Sequence, residues 1–275
     1  MLGKLLKHEF KQNSYVLFLM IIAVIVITSL AFIFGVLPTS YILSSYNGVS
    51  FVASVSASLS AIGYIIAMTA VAVGINIYIG LRYYNTMYSN TGYMTNTLPL
   101  KINELLLGKI ISGTVILFII RLAVALSGLA LLSSVNYITG ENADFIFGPI
   151  SKFSSETYIL LNLSFSETVI LAAVNLVTNT ILTTMILFLS ATLGQLFNTH
   201  RVLMSVVSFV VISIFTSMLD VFLGFAFDYL PVFLRYINHY NIILSLISVI
   251  FQSVVLMTGF YALSYYIVKY RLNLE

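Results

Sequence analysis

The chain has 275 residues, of which 60% are hydrophobic and only 8% charged, and its formal net charge is +3. A soluble domain carries roughly a quarter of its residues as charged side chains, so this composition excludes one and describes a polytopic membrane protein. The absence of cysteine excludes a disulfide framework, a thiolate nucleophile and cysteine-ligated metal, and leaves the redox compartment open.

At the N-terminus, Leu2, Leu5, Leu6 and Phe10 recur at helical spacing, with Lys4, Lys7, His8 and Lys11 on the opposite face. This predicts an amphipathic helix over residues 1–13 that lies in the membrane interface, its lysines among lipid headgroups. The apolar run Tyr15 to Leu37 that follows is too long for a signal-peptide core and lacks a small-residue cleavage site. It is therefore expected to be an uncleaved first span. Five more runs, near 58–80, 105–133, 167–195, 202–219 and 241–267, approach the ~20 residues that cross ~30 Å of hydrocarbon. Ala53, Ala57 and Ala61 give the second run a small-residue edge that permits close helix approach.

Six spans put both termini on one side. Nine lysines and arginines fall on that side: Lys4, Lys7, Lys11, Arg82, Lys101, Lys109, Arg201, Lys269 and Arg271. Only Lys152 and Arg235 fall on the other. The positive-inside rule then makes both termini cytoplasmic.

The outer connections differ in kind. Residues 38–57 are uncharged, whereas 134–165 carry Glu141, Asp144 and Glu156 and end on Ser164, spaced for a capping box with Glu167. Asp220 to Tyr240 has two apolar pieces split by Asp228 and Pro231, each too short to span. A re-entrant hairpin over 220–240 is expected there, sheltered by protein. With no repeat and no linker, residues 1–275 read as a single transmembrane domain.

Catalytic constellations are missing. His8-Glu9 is not HExxH because position 12 is Gln12, and His200 and His239 stand apart. There is no GxSxG, and Gly108-Lys109 lacks the rest of a P-loop, so no ATP hydrolysis is expected of the chain itself. Arg121 lies within the third run, and Thr168, Asn175, Thr178, Asn179 and Thr183 draw a polar stripe along the fourth. Snorkelling or a structural pair accounts for Arg121 and interhelical hydrogen bonding accounts for the stripe. Alternatively, Arg121, Asn175, Asn179 and Thr183 line a translocation path.

The inner stretch from Leu81 to Ile110 is cationic, turn-rich and more aromatic than a connector needs. Tyr83, Tyr84, Tyr88, Tyr93 and Met94 are expected to form a docking surface. Its run Arg82-Tyr83-Tyr84, then Gly92-Tyr93-Met94-Thr95, then Thr97-Leu98-Pro99-Leu100, closed by Leu105-Leu106-Leu107-Gly108-Lys109, resembles the cytoplasmic loop of ABC-2-type transporter permease subunits of Gram-positive bacteria. Leu5-Leu6-Lys7-His8-Glu9-Phe10 is similar to the basic helix that opens several such permeases. The motifs lie in the first 110 residues; beyond them the likeness is one of architecture.

The resemblance implies an all-α fold of the ABC-2 (type V exporter) kind: an interfacial helix, six transmembrane helices, a cytoplasmic coupling helix within 81–104 and an external re-entrant hairpin. It also implies a multi-pass bacterial plasma-membrane permease whose partners are membrane lipids, a second permease subunit, identical or paralogous, and two copies of an ABC ATPase. ATP and Mg would be held by that ATPase, no cofactor would bind the chain directly, and nucleic acid is not an expected partner. Docking would use Arg82, Tyr83, Tyr84, Tyr88, Gly92, Tyr93, Met94, Thr95, Leu98 and Pro99, with Lys4, Lys7, Phe10 and Lys11 on the N-terminal helix. Gly92 can supply a positive φ, Pro99 can stiffen the exit, and Asn103 can cap the third span. The chain departs from the common pattern in carrying Ser89-Asn90-Thr91 where an acidic pair often precedes the glycine. The expected cargo is amphipathic or hydrophobic, with a peptide preferred. The alternatives are a stand-alone secondary transporter, for which no midplane carboxylate is found, and an integral membrane enzyme.

Overall fold

Long unbroken apolar stretches with few helix breakers become long helices. The computed structural model describes residues 2–38, 51–88, 102–139, 165–197, 200–234 and 241–270. Among these run α1 (Leu2–Ala31, prolonged by a π-helical turn Phe32–Val36), α2 (Phe51–Tyr88), α3 (Ile102–Thr139), α4 (Phe165–Gly194), α5 (Arg201–Leu234) and α6 (Asn241–Tyr270). All six contain a segment long and apolar enough to cross a membrane. Large apolar side chains such as Phe18, Ile25, Ile66, Met218, Phe222 and Phe251 stand exposed on them, a surface suited to lipid rather than water. The chain is a polytopic helical membrane protein.

Several boundaries differ from the sequence reading. The expected interfacial helix and first span are not separate elements, because α1 is helical without interruption through Asn13 and Ser14. No proline or glycine falls between Gly3 and Gly35 to interrupt it. Helix α2 continues to Tyr88, well into the expected loop, and α3 begins at Ile102, so Asn103 lies inside the helix rather than capping it. Instead, the Asn103 Oδ1 accepts a hydrogen bond from the Tyr261 hydroxyl at 3.4 Å.

Helix α5 does not turn back at Asp220. It continues through Asp228 and Pro231 to Leu234, in place of the first arm of the expected hairpin, and residues 235–240 lie outside those described. The Asp220 carboxylate accepts a hydrogen bond from Gln252 Nε2 of α6 at 2.9 Å, and Pro231 falls in the final turn of α5.

The chain divides into two compact units, and three of the four boundaries between them fall within α1, α2 and α3. One comprises residues 12–75 and 119–160. In it the Leu37 N–H reaches back to the Phe32 carbonyl to close the π turn, and Gly35 packs on Ser60 so closely that a Cβ would overlap the serine hydroxyl. The Tyr64 and Ser127 hydroxyls, 2.7 Å apart, join α2 to α3.

The other unit comprises residues 1–11, 76–118 and 161–275. Helices α4, α5 and α6 pack on one another around Ile186, Leu189 and Phe260. Gly113 of α3 lets α4 approach, since a Cβ there would meet Thr184 Cγ2 at 3.0 Å and Phe188 Cζ at 3.1 Å. The hairpin from α4 to α5 is equally tight. A Cβ on Gly194 would lie 2.8 Å from the Arg201 carbonyl, and His200 adopts a left-handed φ of 54° to make the turn.

Candidate functional site

The second unit gathers residues from three separate sequence motifs at one place. On α1, Leu5 rests against Gly108 of α3, where any side chain would collide with the leucine methyl. One helical turn further on stands Glu9, and one residue beyond Gly108 stands Lys109. The glycine therefore brings α1 close enough for the Lys109 amine to donate to Glu9 Oε1, both side chains being buried. The other carboxylate oxygen faces α2, with Arg82 Nη2 3.5 Å from Glu9 Oε2. Arg82 Nη1 also donates to the Tyr78 hydroxyl at 3.2 Å. Glu9 of the N-terminal motif thus meets Arg82, which precedes residues 89–101, and Lys109, which follows them.

The electrostatics are asymmetric, because one carboxylate serves two cations. At 3.5 Å and an effective dielectric near 20, the Arg82–Glu9 pair attracts by roughly 5 kcal/mol before desolvation. Removing the ions from water consumes much of that, so the cluster adds little net stability while both signs are present. Removing one sign alone is costly, since a charge would be left buried. A carboxylate clamped in this way is positional and not a free base.

A second layer ties α2 to α4. The Tyr83 ring stacks on Phe188, with centroids 4.0 Å apart and planes 9° from parallel, and meets Tyr88 edge-on at 5.8 Å. The Tyr88 hydroxyl lies 2.9 Å from Thr192 Oγ1 and 3.3 Å from the Tyr83 hydroxyl. Tyr84 is half-buried and edge-on to Tyr88 at 6.3 Å.

This arrangement corrects the expected docking surface. Tyr83, with Met87 beside it, is a core residue almost wholly shielded, so it has no face to offer a partner. Tyr88 turns its hydroxyl to α4, while Arg82 and Tyr84 keep partial exposure. Gly92, Tyr93, Met94, Thr95, Leu98 and Pro99 lie outside the described residues. On α1, Lys7 and Lys11 are exposed and Phe10 is half-buried, while the side chain of Lys4 lies outside those described.

No family model, curated protein or solved structure matches this chain. The site is therefore read from its own residues.

Of the expected path residues, Arg121, half-buried, belongs to one unit, and Asn175, Asn179 and Thr183 belong to the other. The Thr183 hydroxyl donates to the Asn179 carbonyl at 2.7 Å and Thr178 donates to the Val174 carbonyl at 2.9 Å, so these threonines bond back within α4. The buried polar row of α4 is instead Thr180, Thr184 and Thr192, each fully enclosed, with Thr184 3.1 Å from the Thr114 hydroxyl of α3. Sequence reasoning missed this row although its signal was present. Thr180, Thr184, Phe188 and Thr192 recur every four residues, and Gly113 stands in the facing helix. It also passed over Glu9, an acid on an otherwise cationic helix. Among the described residues no three histidines, aspartates or glutamates group as a metal site.

Proposed function

We propose that this chain is the membrane-spanning permease subunit of an ATP-driven exporter of the ABC-2 kind. It sits in a bacterial plasma membrane with both termini cytoplasmic, pairs with a second permease subunit, and docks two separate ATPase subunits through residues 89–101. Its cargo is amphipathic or hydrophobic, with a peptide the preferred class. The observation that carries this reading is the convergence of Glu9, Arg82 and Lys109. Each belongs to one of the motifs by which the sequence resembles such permeases, and together they brace both flanks of the proposed docking segment on the N-terminal helix. The exposed apolar surface and the six long helices support a membrane conduit.

The test is expression in the native host, followed by purification in gentle detergent and mass spectrometry of what co-purifies. An ATPase should co-purify, and Tyr93→Ala combined with Met94→Ala should abolish its association while leaving the permease inserted. Full association and transport by that double variant would refute the docking assignment.

One observation favours the secondary-transporter reading. Asp220 lies within a continuous helix, hydrogen-bonded to Gln252, rather than in an outer connection. A carboxylate within a helix that can span a membrane suits ion coupling. Transport by the chain reconstituted alone, driven by an ion gradient, would select that reading.

A further inference from the structure

A long connection between two helices can present a surface only if its two ends are held at a fixed spacing. Here neither end is braced by the segment's own flanks alone. Arg82 is in the last two turns of α2 and Lys109 in the first two turns of α3, and both reach the same side chain, which comes from a third helix. Two cations facing one another without an anion would repel and drive the flanks apart. Glu9 converts that repulsion into a closed bridge with one carboxylate oxygen for each cation. A steric contact registers the bridge, because Leu5, one turn before Glu9, fills the space that Gly108 leaves beside Lys109. The grouping of residues 1–11 with 76–118 in one unit agrees with this bracing.

We propose that Glu9 is a positioning residue, an anionic pin by which the N-terminal helix sets the spacing of Arg82 and Lys109, the two flanks of residues 89–101 on which partner binding depends. The part concerning the partner rests on the permease reading, whereas the pinning itself does not. Glu9 touches neither nucleotide nor cargo in this scheme. Its effect is transmitted through the two cations.

The chain has no cysteine, so an introduced pair reports without background. Leu5→Cys with Gly108→Cys places two thiols at the contact between α1 and α3. In inverted membrane vesicles under mild oxidation, this pair should form a disulfide in the parent background. Adding Glu9→Gln should lower its rate of formation at least tenfold, and adding Glu9→Asp should restore most of it, because the shorter acid keeps the charge. The same rate in Glu9→Gln as in the parent would overturn the proposal.

Should the Glu9→Gln chain fail to accumulate, Glu9→Gln with Lys109→Met decides, since it leaves no buried lysine without its carboxylate. That chain should insert and lose the disulfide, and parental cross-linking in it would overturn the pin. ATPase co-purification is read in parallel. Disulfide results as expected with no ATPase bound to the parent protein would sink the permease reading and leave the pin standing. ATPase bound equally to the parent and to the variants that have lost the disulfide would overturn the pin's role in partner binding.

Discussion

Replacing Tyr83 with alanine should loosen the packing of α2 on α4, even though the sequence presents that tyrosine as surface. In an aqueous core, truncating a large aromatic costs about 3–5 kcal/mol. Here part of that disappears, because separated helices in a membrane still lie in hydrocarbon and the transfer component is absent. What remains is the cavity, the lost dispersion contacts and the stack on Phe188, itself worth about 0.5–1.5 kcal/mol. The expected loss is therefore about 2–3 kcal/mol.

Tyr83→Phe separates ring from hydroxyl. The hydroxyl's contacts, 3.3 Å to Tyr88 and 3.5 Å to Thr192, are long, and a polar contact between membrane helices averages ~0.6 kcal/mol. Phenylalanine should thus cost well under half of what alanine costs. Titrating the purified protein from mild detergent into dodecyl sulfate while following helicity by circular dichroism gives both midpoints. An unchanged midpoint for Tyr83→Ala would refute the core assignment. Equal losses for Phe and Ala would refute the claim that the ring, rather than the hydroxyl, holds the helices.

The same titration checks other expectations. His200→Gly should stabilise by about 1 kcal/mol, since the left-handed φ of 54° strains any side chain but not glycine. Gly113→Ala should destabilise by about 1–3 kcal/mol because its Cβ would crowd Thr184 and Phe188, while Gly63→Ala, with open space around it, should be neutral or stabilise by up to ~1 kcal/mol. A result of the same sign for both glycines would undo the packing argument. Asp220→Asn retains an acceptor for Gln252 and should leave insertion and ATP-driven transport unchanged. Loss of transport in that variant would move the mechanism toward ion coupling.

What the sequence revealed followed from how each signal arises. Length and hydropathy are properties of single segments, so six membrane-length helices were legible. Helix ends were less so. The tyrosines of α2 read as loop because Arg82 and the aromatics interrupt the apolar run, yet the helix continues through them by packing Tyr83 and Met87 against neighbours that periodicity in α2 alone cannot reveal. Asp220 read as a terminus for the same reason, and its partner, Gln252, lies 32 positions away. The polar stripe of α4 was located on the correct helix but one residue off the buried row. Asn and Thr look equivalent in a spacing count, whereas Thr180, Thr184 and Thr192 are enclosed, Thr184 against Gly113 and Thr114 and Thr192 against Tyr88. Glu9 was invisible as a partner because a lone acid among lysines gives no hint of pairing across a hundred residues.

The one-acid, two-base arithmetic at Glu9 also constrains how this chain can diverge. A descendant in which position 9 turns neutral would be left with a buried lysine and a partly buried arginine without their carboxylate, and it should persist only if position 82 or 109 sheds its charge in the same lineage. Substitutions at these three sites are therefore expected to arrive together, while Lys7, exposed on the same helix, drifts independently.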